Sequence, residues 1–242
     1  MKLLTICPSR NRPELLKRML DSFDKTKSEW SDIIVYVSID DPQIGKYEDL
    51  LNGRFHIFGP RRPLVEVINY ISCEYMPGLE YYQEVNDDHV YHTDKWDEKL
   101  IGKIEYGGNK FGMAWGRDGM NNKDTPNLPT AVIVSGTIIR ALGYFFPPQI
   151  KHIACDDALL DIGNQTHTIF YNPDVMIEHV HYYAIENGKH KAPLDDNYRS
   201  IYNAEVLAEG RQLLHEWRSN NMAQDIERVN NAIQNWRVNQ VL

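Results

Sequence analysis

The sequence predicts an α/β fold, a mainly parallel sheet flanked by helices with a helical C-terminal extension. Three observations predict it. Short aliphatic or β-branched runs alternate with segments whose apolar residues recur at helical spacing over residues 3–85. Several of the strand-like runs stop at a polar, turn-forming cluster. From about residue 195 onward the pattern is helical and polar.

Taken in order, LLTIC (3–7) is a continuous apolar run, as a strand buried on both faces requires. PSRNRP then breaks the chain, and PELLKRMLDSFDK (13–25) follows with Leu15, Leu16, Met19, Leu20 and Phe23 on one helical face. Pro13 suits the first turn of that helix, where its missing N–H costs nothing. DIIVYVSI (32–39) is a second strand ending at Asp40-Asp41-Pro42, and FHIF (55–58) a short third. PLVEVINYISCEY (63–75) has helical spacing and halts at Pro77-Gly78, and LEYYQEV (79–85) is a fourth strand. KWDEKLIGKIE (95–105) reads as a helix and GMAWG (112–116) as a strand. DGMNNKDTPNLPT (118–130) is a long polar loop, and AVIVSGTIIRALG (131–143) begins as a strand and turns helical. CDDALLDIG (155–163) is an acid-rich helix start, and HTIFYNPDVMIEHVHYY (167–183) supplies one or two strands.

Composition limits the function classes. At 242 residues, 42% hydrophobic and 25% charged, the chain is ordinary for a soluble domain with appendages. No apolar run reaches the roughly 18 residues needed to span a bilayer. MKLLTICPSRNRP has too short an apolar stretch for a secretory signal. The three cysteines lack metal-type spacing and are odd in number, so a reducing, cytoplasmic setting is expected. A net charge of −8 argues against nonspecific polyanion binding, although GPRRP (59–63) and the arginines near the C-terminus could form local basic patches.

In parallel α/β sheets ligands bind beyond the carboxyl ends of the strands. PSRNR, SIDD and VNDDH all follow strand ends, so they are expected to converge on one cleft. There Asp87 and Asp88 are adjacent carboxylates that need a cation, a proton or water to relieve their repulsion. A divalent ion is one answer, and a capped turn is the other. Arg10 offers a planar fork for phosphate, with Arg61 and Arg62 as alternatives. Asp41-Pro42 is a turn signal, which leaves Asp40 as the better ligand-binding acid of that pair. His179 and His181 alternate in a strand-like run and share a face, whereas His89 and His92 read as solvated loop residues. Asp156 and Asp157 open a helix, which favours their ionised form. Trp115, ahead of the long loop, is the aromatic candidate for an acceptor side.

Together CPSRNRPELLKRMLDSF, VSIDD, VNDDHVYHTDKWDEKL, VSGTIIRALGYFFPP, CDDALLDIG and IEHVHYY…GKHKAPLDDNYR resemble, in order, the motifs of GT-A fold glycosyltransferases of the family 2 type. The resemblance spans about residues 1–198, a donor half (about 1–100) and an acceptor half (about 101–198), and leaves 199–242 as a helical tail. It implies a nucleotide-sugar donor, UDP-linked, bound through Pro8, Ser9, Arg10, Asp40, Arg62, Asn86 and Asp87. It implies Mn²⁺ or Mg²⁺ on Asp88 and His181, and catalytic roles for Asp156 and Asp157. A strict Asp-x-Asp is absent because Asn86 stands at the first acidic position. The acceptor stays open among a glycan, a protein, a metabolite and a modified nucleic-acid base. A nucleotidyltransferase would need a Gly-rich phosphate loop, which CPSRNRP lacks, and a non-catalytic binding module would bind the donor without turnover.

Overall fold

The computed structural model describes residues 1–120, 128–182, 185–186, 189–192 and 194–239. The polar segment expected at 118–130 and the late histidine segment lie partly outside these residues. β1 (Leu3–Ser9), α1 (Pro13–Thr26) and β2 (Ser31–Ser38) open the chain, and α2 (Ile44–Leu51) leads to β3 (His56–Gly59). α3 (Leu64–Asn69) continues as a π-helical turn, Tyr70–Tyr75, before β4 (Tyr81–Glu84) and β5 (His89–Tyr91). Then come α4 (Trp96–Gly108), β6 (Met113–Arg117), β7 (Ile133–Ser135), α5 (Gly136–Leu142), α6 (Cys155–Thr166) and β8 (Ile169–His179). A short hairpin of β9 (Ile185–Glu186) and β10 (Lys189–His190) precedes α7 (Asp196–Ile201), α8 (Ala204–Asn220) and α9 (Met222–Asn239).

The main sheet has eight strands in the order β3-β2-β1-β4-β7-β6-β8-β5. Strands β3, β2, β1 and β4 are mutually parallel, as are β6 and β8, while β7 and β5 run the other way. The sheet is therefore mixed, mainly parallel, with its carboxyl edge at the ends of β1, β2 and β4. Gly116 lets β6 lie close on β8, because a Cβ there would stand 2.5 Å from the Val175 carbonyl oxygen.

Alternation along the strands sends side chains to two cores. Leu4, Ile6, Tyr82, Val134 and Trp115 face α3, α5 and α6, whereas Leu3, Cys7, Tyr81 and Ile133 face α1 and α4. α1 buries Leu16, Met19, Leu20 and Phe23 on its inner face. Burying one such side chain contributes about 1.5–3 kcal/mol. Asp97, in the first turn of α4 and fully buried, accepts from the Ser28 backbone N–H at 3.0 Å and from the Ser28 and Ser31 hydroxyls. That pins α4 to the turn between α1 and β2.

The C-terminal helices are part of this structure. Leu214, Trp217 and Val229 belong to the core shared with α5 and α6. Asp225, buried at the start of α9, accepts from the Trp217 indole N–H at 3.0 Å and from the Tyr144 hydroxyl. Trp217→Ala is expected to cost about 3–5 kcal/mol in denaturant unfolding through lost burial and an opened cavity. A cost below about 1 kcal/mol would mean that the helices contribute little to the folded domain. Among the described residues no helix is long and apolar enough to cross a membrane.

Candidate active site

A cleft of about 520 Å³ lies over the carboxyl ends of β1, β2 and β4 and is closed on one side by α7. Pro8, Ser9, Arg10, Arg62, Asn86, Asp87, Asp88 and His181 all line it. So do Arg12, His152, His179 and Tyr198, none of which the sequence had marked as a favoured site residue.

The turn after β4 sets the geometry. Asn86, Asp87 and Asp88 reverse the chain so that β5 pairs antiparallel with the end of β8, with His89 directly opposite His179. Their rings stack at 4.3 Å with an interplanar angle of 16°. His89 is therefore a fully buried strand residue and not a solvated loop residue; His92 is the half-exposed one, held by Glu178 at 2.8 Å. Asp88 Oδ1 lies 3.2 Å from His179 Nε2 and 3.6 Å from His89 Nδ1. Its other oxygen, Oδ2, accepts the Tyr198 hydroxyl at 2.6 Å.

Fixed side chains relieve the carboxylate pair. Arg12 Nη1 stands 3.4 Å from Asp87 and 3.7 Å from Asp88, and Ser9 Oγ donates to Asp87 at 2.7 Å. The other Arg12 nitrogens grip Asp195 with two bonds of 2.7 Å, and the guanidinium lies over the Tyr198 ring at 4.0 Å. Tyr47, from the unforeseen α2, bonds the Ser9 hydroxyl and accepts the Arg12 backbone N–H.

Burial and charge separate the two acids. Burial pushes the Asp87 carboxyl up to about 7, against the pull of Arg12. Burial also opposes charge on Asp88, yet His179, His89 and the Tyr198 hydroxyl outweigh it and hold Asp88 well below the usual carboxylate range. Burial lowers His89 to about 3, so that ring is neutral at pH 7. His179 is raised, because Asp88, Asp118 and Asp156 overcome its burial.

One ligand atom each from Asp88, His89 and His179 lies within 4.8 Å of the others. Asp88 Oδ1 is buried without a hydrogen-bond partner, the condition an ion would relieve; the ring nitrogens nearest it are His179 Nε2 and His89 Nδ1, while the far nitrogens, His179 Nδ1 and His89 Nε2, are also buried and unbonded. One carboxylate with two imidazoles fits Mn²⁺ better than Mg²⁺, which prefers oxygen ligands. His181, which the sequence favours over His179, lines the same cleft, while the acid–histidine group of metal-binding proximity among the described residues is Asp88, His89 and His179. The β8 ladder ends at His179, and a tight turn in which the His181 N–H bonds the His179 carbonyl at 2.8 Å breaks the alternation. The His181 ring packs edge-on against Tyr198 and Tyr202, each at 4.7 Å.

Asp40 does not line the cleft itself but is bonded by two residues that do, Arg10 at 2.8 Å and the Ser38 hydroxyl at 2.5 Å. Asp41 is the turn acid, accepting from the backbone N–H groups of Asn11 at 2.6 Å and Gln43 at 2.8 Å. Asp156 and Asp157 start α6 without lining the cleft. Asp156, raised to about 6 by burial, feels His179 and Asp118, whereas Asp157 feels Arg218 and Asp161 on the outer side. Trp115 is a core residue, 5% exposed and packed on Tyr171 at 5.4 Å, so it lies outside the cleft. Glu84, ending β4 and 4% exposed, is a further buried acid; burial and then the charge of Asp156 raise it.

This arrangement, a mixed sheet with β7 reversed between two parallel blocks and a polar cleft at the strands' carboxyl ends, recurs among solved structures. Structures of S. aureus TarS share it. The match to one TarS structure has a TM-score of 0.55 at 15% identity and covers 90% of this chain and 43% of that one. TarS 1–349 in complex with UDP matches with a TM-score of 0.56 at 13% identity over 99% of this chain and 92% of that one. The same fragment in complex with UDP-GlcNAc gives 0.54 at 13% identity with the same coverage. The present chain thus spans less than half of the longer TarS chain, and the likeness is one of fold. No protein-family model matches the sequence, and no curated protein does.

Proposed function

We propose that the chain is a glycosyltransferase that uses a nucleotide-diphosphate sugar, UDP-linked, with a divalent cation at Asp88, His89 and His179. The observation that carries this reading is the single cleft where the ends of β1, β2 and β4 meet an acid–histidine cluster with unsatisfied buried atoms. Support for the donor comes from the TarS neighbours bound to UDP and UDP-GlcNAc.

On this reading Pro8, Tyr36, Pro63 and Leu64 form the apolar wall for the base, with Arg10, bonded to Asp40, beside it. Arg10 and Arg62 face the diphosphate, Ser9 and Asp87 take donor hydroxyls, and Asn86 shapes the turn. Mn²⁺ or Mg²⁺, when bound, supplies Lewis-acid stabilisation of the departing diphosphate. Asp156, raised to about 6 and set back from the cleft lining, takes the acceptor hydroxyl proton through an intervening water as that oxygen attacks the anomeric carbon. Asp157, under the charge of Arg218, supports the helix start.

The test is a thermal-shift panel of UDP-, GDP-, ADP- and dTDP-sugars, each with and without Mn²⁺. A ligand at a hundred times its Kd stabilises by about 2.7 kcal/mol, or roughly 5–10 °C for a domain of this size. The expected result is a shift of that order with UDP-sugars only when Mn²⁺ is present. Equal shifts with every nucleotide, or none with any, would sink the proposal.

A further inference from the structure

We propose that Tyr198 is a positioning residue that turns Asp88 toward the histidine pair, and that Arg12 and Asp195 hold it in that position. The inference rests on the metal reading of the site given above. It concerns side chains of α7, the segment that closes the cleft.

Asp88 has two oxygens with different surroundings. The Tyr198 hydroxyl donates to Oδ2 at 2.6 Å, and both residues are almost fully buried. Oδ1 is left facing His179 and His89, without a hydrogen bond. The phenol therefore decides which oxygen faces the imidazoles, and with it the rotation of the carboxylate.

Tyr198 is itself held in two ways, through a shared partner. Asp195 caps α7 by accepting the Tyr198 backbone N–H at 2.9 Å. The same carboxylate holds Arg12 through two bonds of 2.7 Å. Arg12 in turn stacks on the Tyr198 ring. Bound this way, Arg12 stays 3.7 Å from Asp88 Oδ2, too far for a direct bond. Without the phenol, Oδ2 loses its fixed donor, so the carboxylate can rotate and an Arg12 freed from Asp195 competes for either of its oxygens. Groups that orient a metal ligand in this manner typically change affinity by about 10–100-fold.

The experiment measures Mn²⁺ binding by the electron paramagnetic resonance signal of free Mn²⁺, in the absence of nucleotide and of turnover. Tyr198→Phe keeps the ring on Arg12 and removes only the hydroxyl; circular dichroism and the melting temperature without metal report its folding. The expected result is a Kd for Mn²⁺ at least about tenfold weaker than wild type. Asp195→Asn keeps the helix cap and withdraws the charge holding Arg12, so it should weaken binding in the same direction and carries the test if Tyr198→Phe does not fold. Unchanged affinity in the folded variants, beside a wild type that binds Mn²⁺, overturns the positioning role and leaves the metal site standing. Tighter binding overturns it too, by making the phenol a competitor for Asp88. A wild type that binds no Mn²⁺ overturns the metal reading and this inference together.

Discussion

Asp88→Ala is expected to remove Mn²⁺-dependent turnover of a UDP-sugar, lowering kcat/KM by about a thousandfold or more. The reason is one of charge. Asp88 is the acid held ionised in the cleft, and it is the carboxylate of the only acid–histidine group of metal-binding proximity among the described residues. If its loss removes about 4 kcal/mol of leaving-group stabilisation, the rate falls about a thousandfold. Alanine also strips Arg12, His179 and the Tyr198 hydroxyl of a common partner. Asp88→Asn is the control, because it keeps the volume and one acceptor oxygen. Both variants should retain the far-ultraviolet circular dichroism of the wild type while losing metal response. Full activity in either would discredit the assignment.

The second large effect falls on Asp156. As the base for the acceptor hydroxyl it must be ionised, so log kcat/KM should rise with pH up to about 6 and then level off. Asp156→Asn should abolish that limb and lower kcat by about a hundred- to ten-thousandfold, the usual contribution of a positioned base. Asp157→Asn should cost far less, because the charges that act on that carboxyl are those of Arg218 and Asp161, outside the cleft. A variant pair in which Asp157 proves the more sensitive would exchange the two roles. An acid limb that survives in Asp156→Asn would move the base elsewhere, with buried Glu84 as the nearest candidate.

Much of the fold was legible because local pattern determined it. The apolar run at residues 3–7 and the β-branched run at 32–39 became β1 and β2, and the helical stripe after Pro13 became α1. Strand direction is not written in such patterns. Ile133–Ser135 reads as an ordinary buried strand, yet β7 runs antiparallel to both of its neighbours. α2 was missed because eight residues containing Gly45 give a weak helical signal after an Asp-Pro turn. β5 was missed because a three-residue strand beside Asn86-Asp87-Asp88 looks like more loop.

The site divides the same way. Acids at strand ends were visible from spacing, since a parallel sheet gathers its carboxyl ends on one edge. Arg12 was not, because its importance depends on Asp195, 183 positions further along the chain. His89 was misjudged for a related reason: only the pairing with β8 shows that it stacks on His179 inside the protein. Trp115 proved buried away from the cleft, because alternation along a strand buried on both faces does not say which face meets a ligand. The positive φ of 54° at Asn11 was likewise unwritten, although Asn is, after glycine, among the residue types that adopt it most readily.

The most direct measurement is the anomalous-difference map of a crystal grown with Mn²⁺ and UDP. The account predicts one strong peak within bonding reach of Asp88 and of His179 or His89, touching the diphosphate of a nucleotide that lies along Pro8 and Arg10. A nucleotide bound there with manganese absent, or manganese bound away from Asp88, would contradict it.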